Sequence, residues 1–226
     1  MQDELKKRAA ERAIEFVRDG QVIGLGTGST TRFAIEGLGR MVKEGLKITG
    51  VPTSIGSERM AKELGIPLAD LNDVSKIDVD IDGADEIDPN FNMIKGGGGA
   101  LTREKLVALA TERVVIVVDK DKRVDTLGHS WPVPVEVLQF AWNMSARLLS
   151  ELGCTPKLRE KDGARFVTDN GNYILDCAFG PIADAPSLEK NIKQLPGVVE
   201  VGLFIGLCNT LVIGMDDDVE VEERPS

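Results

Sequence analysis

Apolar residues recur along the chain in two alternating rhythms, one helical and one extended. Over residues 3–18, Leu5, Ala9, Ile14 and Phe16-Val17 stand between charges at helical spacing, which predicts a one-sided helix ending near Asp19-Gly20. The run 21–25 is β-prone and breaks into Gly26-Thr-Gly-Ser-Thr30, after which helical periodicity resumes over 31–42. A strand over 46–51, a helix over 58–64 and a short strand over 66–69 follow. In 76–82, Ile77, Val79 and Ile81 alternate with carboxylates, predicting a strand that ends at the turn Asp82-Gly83. A helix over 102–110 and an apolar run over 114–118, suited to the centre of a parallel sheet, complete the pattern of an α/β doubly wound sheet.

From Trp131 the rhythm changes. Strand 133–137, helix 140–152, strands 155–159 and 172–178, helix 187–194 and strand 198–203 give the split β-α-β-β-α-β order of a ferredoxin-like unit. Residues 211–214 are expected to return as a last strand of the first domain, leaving a frayed acidic tail over 216–223. The predicted organisation is therefore one domain from residues 1–130 plus 206–226, with a smaller α+β domain inserted at 131–205.

Composition narrows the chemistry. The 226 residues, 42% of them hydrophobic, suffice for a substantial core, and a net charge of −10 argues against nonspecific binding to nucleic acid or an anionic membrane. No apolar run approaches the ~18 residues of a membrane span, and the opening residues mix charges as a helix does rather than forming a signal peptide, so a soluble, cytoplasmic chain is expected. Cys154, Cys177 and Cys208 are widely spaced among apolar residues and read as reduced thiols, not as a disulfide framework or zinc site. With a single histidine, His129, zinc-hydrolase and Ser-His-Asp designs have little to work with, and proton transfer falls to carboxylates and lysines.

Three segments can carry that chemistry. Gly24-Leu-Gly-Thr-Gly-Ser-Thr30 lies between a strand and a helix, where free N–H groups and the helix dipole form an anion cradle, with Thr27, Ser29 and Thr30 adding hydroxyls. It matches neither the P-loop nor G-x-G-x-x-G, and a plain capped turn is the simpler alternative. Asp78-Val-Asp80-Ile-Asp82-Gly83-Ala-Asp85-Glu86 begins like a calcium loop, but Pro89 stands where the bidentate glutamate belongs, so no metal is expected. Its place at the end of a parallel strand instead makes Asp82 and Asp85 candidates for sugar hydroxyls or acid–base work. Lys95-Gly-Gly-Gly-Gly99 offers a ribbon of amide donors and a cation, and the following helix puts Glu104 in its first turn. A flexible linker is the bland alternative.

Together, TGST (27–30), DGADEID (82–88) and KGGGGALTREK (95–105) resemble ribose-5-phosphate isomerase of type A. PVEV (134–137), VTDNGN (167–172) and LPGVVEVGLF (195–204) extend the resemblance over nearly the whole chain. It implies a cofactor-free interconversion of ribose 5-phosphate and ribulose 5-phosphate on a Rossmann-like domain with an α+β lid, in homodimers or homotetramers. Glu104 matches the proton acceptor. Thr27, Gly28, Ser29 and Thr30, then Asp82, Gly83, Ala84 and Asp85, then Lys95, Gly96, Gly97 and Gly98, and finally Lys122 match substrate-binding positions. Lys6 in the first helix is a candidate phosphate contact, and the role of residues 51–54 stays open.

Aldose–ketose isomerisation needs a carboxylate that removes a proton beside a carbonyl and returns it to the next carbon, which Glu104 can do. Lys95 and the glycine amides are the expected donors to the enediolate oxygen, and Asp82 the proton carrier for ring opening. A sugar-phosphate sensor of related fold needs the cradle but not Glu104, and a coenzyme A transferase would use a glutamate as nucleophile. The lack of room for a DNA-binding segment before the first strand disfavours the sensor, and the short length with no nucleotide motif disfavours the transferase.

Overall fold

The structure is a computed structural model that describes residues 2–225; Met1 and Ser226, the outermost residues of the expected first domain, lie outside the described residues. The chain divides into two compact units. One comprises the residues up to Ala84, Arg103–Lys122 and those from Leu207 onward, and the other Asp85–Thr102 and Arg123–Gly206. Residues 85–102, 123–130 and 206, which the sequence pattern groups with the first domain, thus pack within the second unit.

The first unit is built on a six-stranded sheet whose spatial order is Val219–Glu223, Thr210–Gly214, Thr111–Asp119, Ile77–Asp82, Val22–Leu25 and Thr49–Pro52. All neighbours are parallel except the first pair, so this is a mixed α/β fold with a parallel-dominated sheet. The chain runs outward from Val22–Leu25 to Thr49–Pro52 and then returns to the other side of Val22–Leu25. That reversal puts a topological switch between Val22–Leu25 and Ile77–Asp82, where open α/β sheets bind ligands.

One face of the sheet, carrying Ile23, Leu25, Val79, Ile81, Val115, Val117 and Val212, is buried with Ala9, Ala13, Ala34, Ile35, Leu38 and Ala61 from helices Gln2–Ile14, Ser29–Lys43 and Ile55–Leu64. Burying a single such aliphatic side chain is worth about 1.5–3 kcal/mol, which is why these helices hold their places. Helix Leu101–Leu109 packs on the opposite face, where Val107 meets the backbone of Gly24.

Two expectations for this unit need correction. Residues 66–69 form only a bridge between Leu68 and Gly50, because Pro67 has no N–H to continue a ladder. The acidic tail is not frayed: the alternation Val219-Glu-Val221 pairs as an edge strand, and Glu223 binds Arg113 and Thr210. Charged residues on an exposed edge also discourage further strand addition.

In the second unit, an antiparallel sheet runs in the order Val198–Val201, Val133–Val137, Tyr173–Ala178, Thr155–Leu158. Helix Trp142–Glu151 joins the strand at 133–137 to that at 155–158, and helix Ala185–Lys193 joins 173–178 to 198–201. Val133, Val135, Val137, Leu149, Leu175, Cys177, Ile192 and Val201 form its core. The expected strand 198–203 is broken at Gly202, since Leu203–Phe204 pairs instead with Met93–Ile94, which in turn pairs with Glu86–Ile87. A side chain at Gly202 would collide with the Lys95 carbonyl oxygen, 2.3 Å from its Cβ position, so a glycine is required at the break.

Candidate active site

In the first unit the candidate residues gather at the C-terminal ends of the parallel strands. The glycines of Gly24-Leu-Gly26 have a steric cause. A Cβ on Gly24 would lie 2.4 Å from Asp80 Oδ1, and one on Gly26 would lie 2.3 Å from Asp82 Oδ1 and 2.6 Å from the Ile81 carbonyl oxygen. These glycines let two carboxylates of the neighbouring strand pack against backbone. Asp82 is 1% exposed, and its Oδ1 accepts from the Thr27 N–H (3.1 Å) and the Gly83 N–H (2.7 Å). Residues 77–82 are therefore an extended strand, not the coiled loop that calcium binding would need.

Helix Ser29–Lys43 starts from Gly28, whose φ of 135° favours glycine and whose lack of a side chain leaves the first turn without a side-chain cap. First-turn N–H groups of such a helix are suited to an anion. Lys6 Nζ donates to Ser29 Oγ at 3.2 Å, so the structure brings this candidate phosphate contact to the same loop. Thr30 is buried, while Gly28 and Ser29 are exposed.

Residues 51–54, whose role the sequence leaves open, join this loop. Thr27 Oγ1 lies 2.8 Å from Thr53 Oγ1, 2.7 Å from Ser54 Oγ and 3.1 Å from Ser57 Oγ. Thr53 Oγ1 donates to the Leu25 carbonyl (3.0 Å), and Ser57 Oγ to that of Gly26 (2.6 Å). Ser54 also caps helix Ile55–Leu64 through the Ser57 N–H. This hydroxyl cluster fixes the Gly26–Thr27 backbone; the signal in sequence was a Ser/Thr pair just after a predicted strand.

Glu104 stands in the first turn of helix Leu101–Leu109 and is 3% exposed. The helix leads directly into the parallel strand Thr111–Asp119, so its N-terminal turn lies toward the C-terminal edge of the sheet. Asp119, which ends that strand, accepts the Asp121 N–H, and Lys122 closes the 3₁₀ turn that follows. Gly83 and Ala84 carry the chain out of this unit and are half-buried.

In the second unit, the Asp85 Oδ2 accepts the Gly97 N–H at 2.7 Å, and the Asp85 N–H donates to the Ile94 carbonyl. Lys95 is 3% exposed, and its Nζ lies 5.5 Å from the centroid of the Phe204 ring, a cation–π arrangement. Gly96 and Gly99 have φ values of 105° and 84°, and a Gly99 N–H to Gly96 carbonyl bond (3.0 Å) closes the turn. Gly98 is the exposed member of the ribbon. The linker alternative is thus excluded: the ribbon is a fixed turn. Phe204 and Arg159, which donates to the Gly96 carbonyl at 2.7 Å, had no sequence signal.

Other titratable groups have structural roles. The buried Glu136 accepts from Thr102, Thr168 and Asn172, and Glu86 accepts from the backbone N–H groups of Gly128, Ser130 and Trp131. A hydrogen bond with Cys154, together with burial, pushes the Cys177 thiol far above its usual range and keeps it protonated. All three cysteines are buried and free, as their apolar settings predicted.

Comparisons with known proteins first give the class: the relatives are, by name, isomerases of a phosphorylated pentose. The family model for ribose 5-phosphate isomerase A (phosphoriboisomerase A) matches residues 49–218. Ribose-5-phosphate isomerase A 1 of Oceanobacillus iheyensis is 48% identical over 98% of this chain and 99% of its own, and the Gloeobacter violaceus enzyme is 49% identical over 97% and 96%. Among solved structures, ribose 5-phosphate isomerase A of Methanocaldococcus jannaschii superposes with a TM-score of 0.93 at 41% identity, over 97% of this chain and 98% of that one. A D-ribose-5-phosphate isomerase in complex with phospho-erythronic acid gives 0.96 at 41% identity, over 99% and 100%. The chain belongs to the ribose-5-phosphate isomerase A family.

Proposed function

We propose that this chain is an aldose–ketose isomerase that interconverts D-ribose 5-phosphate and D-ribulose 5-phosphate in the non-oxidative pentose phosphate pathway. Family membership supports the substrate, and a relative of the same fold binds a phosphorylated sugar acid. The observation that carries the chemistry is Glu104, a buried carboxylate in a helical first turn at the C-terminal edge of a parallel sheet.

In the proposed reaction, Asp82 carries the proton that opens the furanose, with Asp85 orienting hydroxyls. Glu104 then removes the C2 proton of the open aldose. The C2–H electrons form the C1–C2 double bond while the carbonyl electrons move onto O1. Lys95 and the ribbon amides stabilise this enediolate. A proton passes from O2 to O1, the carbonyl forms at C2, and C1 takes the proton back from Glu104. The loop Thr27–Thr30, with Lys6 and Lys122, is assigned to phosphate and sugar hydroxyls, and Gly83, Ala84 and Gly96–Gly98 to backbone contacts. These roles need no cofactor or metal.

The strand order of the antiparallel sheet supports a ferredoxin-like reading of the second unit, for which we propose a lid and oligomerisation role in a homodimer or homotetramer. Among the described residues no helix is long and apolar enough to cross a membrane, and we place the enzyme in the cytoplasm. The test is formation of ribulose 5-phosphate from ribose 5-phosphate with and without EDTA. Activity unaffected by EDTA is expected; an inactive protein overturns the enzyme reading and favours a sugar-phosphate sensor, and EDTA-sensitive activity reinstates a metal.

A further inference from the structure

The glycine ribbon is gripped from one side by a residue for which the reaction has so far had no use. Arg159 Nη1 donates to the carbonyl oxygens of both Gly96 (2.7 Å) and Gly97 (3.2 Å). Its other edge is engaged by Asp176, through Nε to Oδ2 at 3.0 Å and through Nη2 to Oδ1. The pair is largely buried, with side-chain exposures of 14% and 22%, and the Arg159 N–H is itself fixed by the Ile174 carbonyl at 2.9 Å. A guanidinium held bidentately by a carboxylate is a rigid donor, so its remaining N–H groups have a set direction.

That direction bears on the amides. In a trans peptide the C=O and the following N–H point to opposite sides. Holding the Gly96 carbonyl on Arg159 therefore turns the Gly97 N–H the other way, where Asp85 accepts it at 2.7 Å. Holding the Gly97 carbonyl likewise turns the Gly98 N–H away from Arg159. Gly98 is the exposed residue of the ribbon, and among the described residues its N–H has no acceptor. Glycine peptides rotate freely unless something fixes them, and donors to a developing oxyanion act through preorganisation.

We propose that Arg159, held by Asp176, is a positioning residue for isomerisation: it locks the Gly96–Gly97 and Gly97–Gly98 peptides so that the Gly98 N–H is presented to the enediolate oxygen. This rests on the assignment of the ribbon to the enediolate made above. Arg159 itself touches only the ribbon's carbonyl side, so its loss is expected to act on turnover and not on capture of the sugar phosphate.

The test compares wild type, Arg159→Ala and Arg159→Lys for kcat and KM with ribose 5-phosphate, and for affinity toward phospho-erythronic acid, whose carboxylate carries negative oxygen as the enediolate does. Wild-type activity reports on the underlying reading separately. For Arg159→Ala the expected result is a fall in kcat of about 10–100-fold with KM within about threefold, and a parallel loss of affinity for the acid. Added guanidinium ion should restore part of kcat. Arg159→Lys, which keeps the charge but cannot hold Asp176 and two carbonyls together, should show an intermediate loss. Near-wild-type kcat in either folded variant overturns the proposal, as does a loss confined to KM. If Arg159→Ala does not fold, Arg159→Lys decides by the same criteria.

Discussion

The Gly24–Thr30 loop and the Lys95–Gly99 ribbon are both glycine-rich, yet they are held in different ways. In the loop, Gly24 and Gly26 make room for Asp80 and Asp82 against strand backbone, and the hydroxyls of Thr53, Ser54 and Ser57 tie down what remains. In the ribbon, Gly96 and Gly99 supply positive φ, Gly98 is exposed, and two charged side chains, Asp85 and Arg159, fix the peptides. The first is a packed junction in which glycine is a steric need. The second is a turn in which glycine leaves the Gly98 backbone exposed. Similar composition thus serves close packing in one place and an open backbone turn in the other.

Changes in the ribbon should therefore fall on turnover. Lys95→Met, which keeps the side chain's bulk beside Phe204 but removes its charge, should lower kcat by about 10²–10³-fold with a small change in KM. Steady-state kinetics checks this, and an effect on KM alone would make Lys95 a binding residue. Changes in the loop should fall on stability. Gly26→Ala forces a methyl against the Ile81 carbonyl as well as Asp82 and should cost about 2–3 kcal/mol, read from the urea midpoint. Gly97→Ala meets only the end of the Asp85 side chain, which can turn aside, so its stability loss should be smaller and its kcat loss larger. Equal stability losses would erase the distinction.

Ser57→Ala should cost about 1–2 kcal/mol, because the Gly26 carbonyl loses its buried donor, and should raise KM more than it lowers kcat. The smallest effect is expected far from both regions. Asp184 caps helix Ala185–Lys193, and its hydrogen bonds from Ser187 hold the carboxyl below its ordinary pKa. A depressed pKa contributes stability above the ordinary carboxylate range, and the contribution is lost as pH falls through the lowered value. Asp184→Asn should thus lower Tm slightly near neutrality, with the difference disappearing in strong acid.

Much of this was legible in the sequence. The period-two run Ile77–Asp82 and the apolar run 114–118 became strands, and the motif residues fell at strand ends, in tight turns or in the first turns of helices. What was hidden depends on partners distant along the chain. Thr27 meets Ser57 across 30 positions, and Arg159 reaches Gly96 across 63, distances over which no periodicity carries information. The acidic tail reads as frayed because its charge masks the alternation of Val219 and Val221, and 198–203 reads as one strand because Gly202 passes as an ordinary strand glycine until the Lys95 carbonyl stands against it.

Glu104 belongs to neither glycine segment, and the proposed proton transfer depends on it most. The direct measurement is kcat for Glu104→Gln, alongside its affinity for phospho-erythronic acid. A base acting on C2 predicts a fall in turnover of about 10²–10⁴-fold with binding of the acid retained. Turnover near the wild-type rate would contradict the assignment of the proton to this carboxylate.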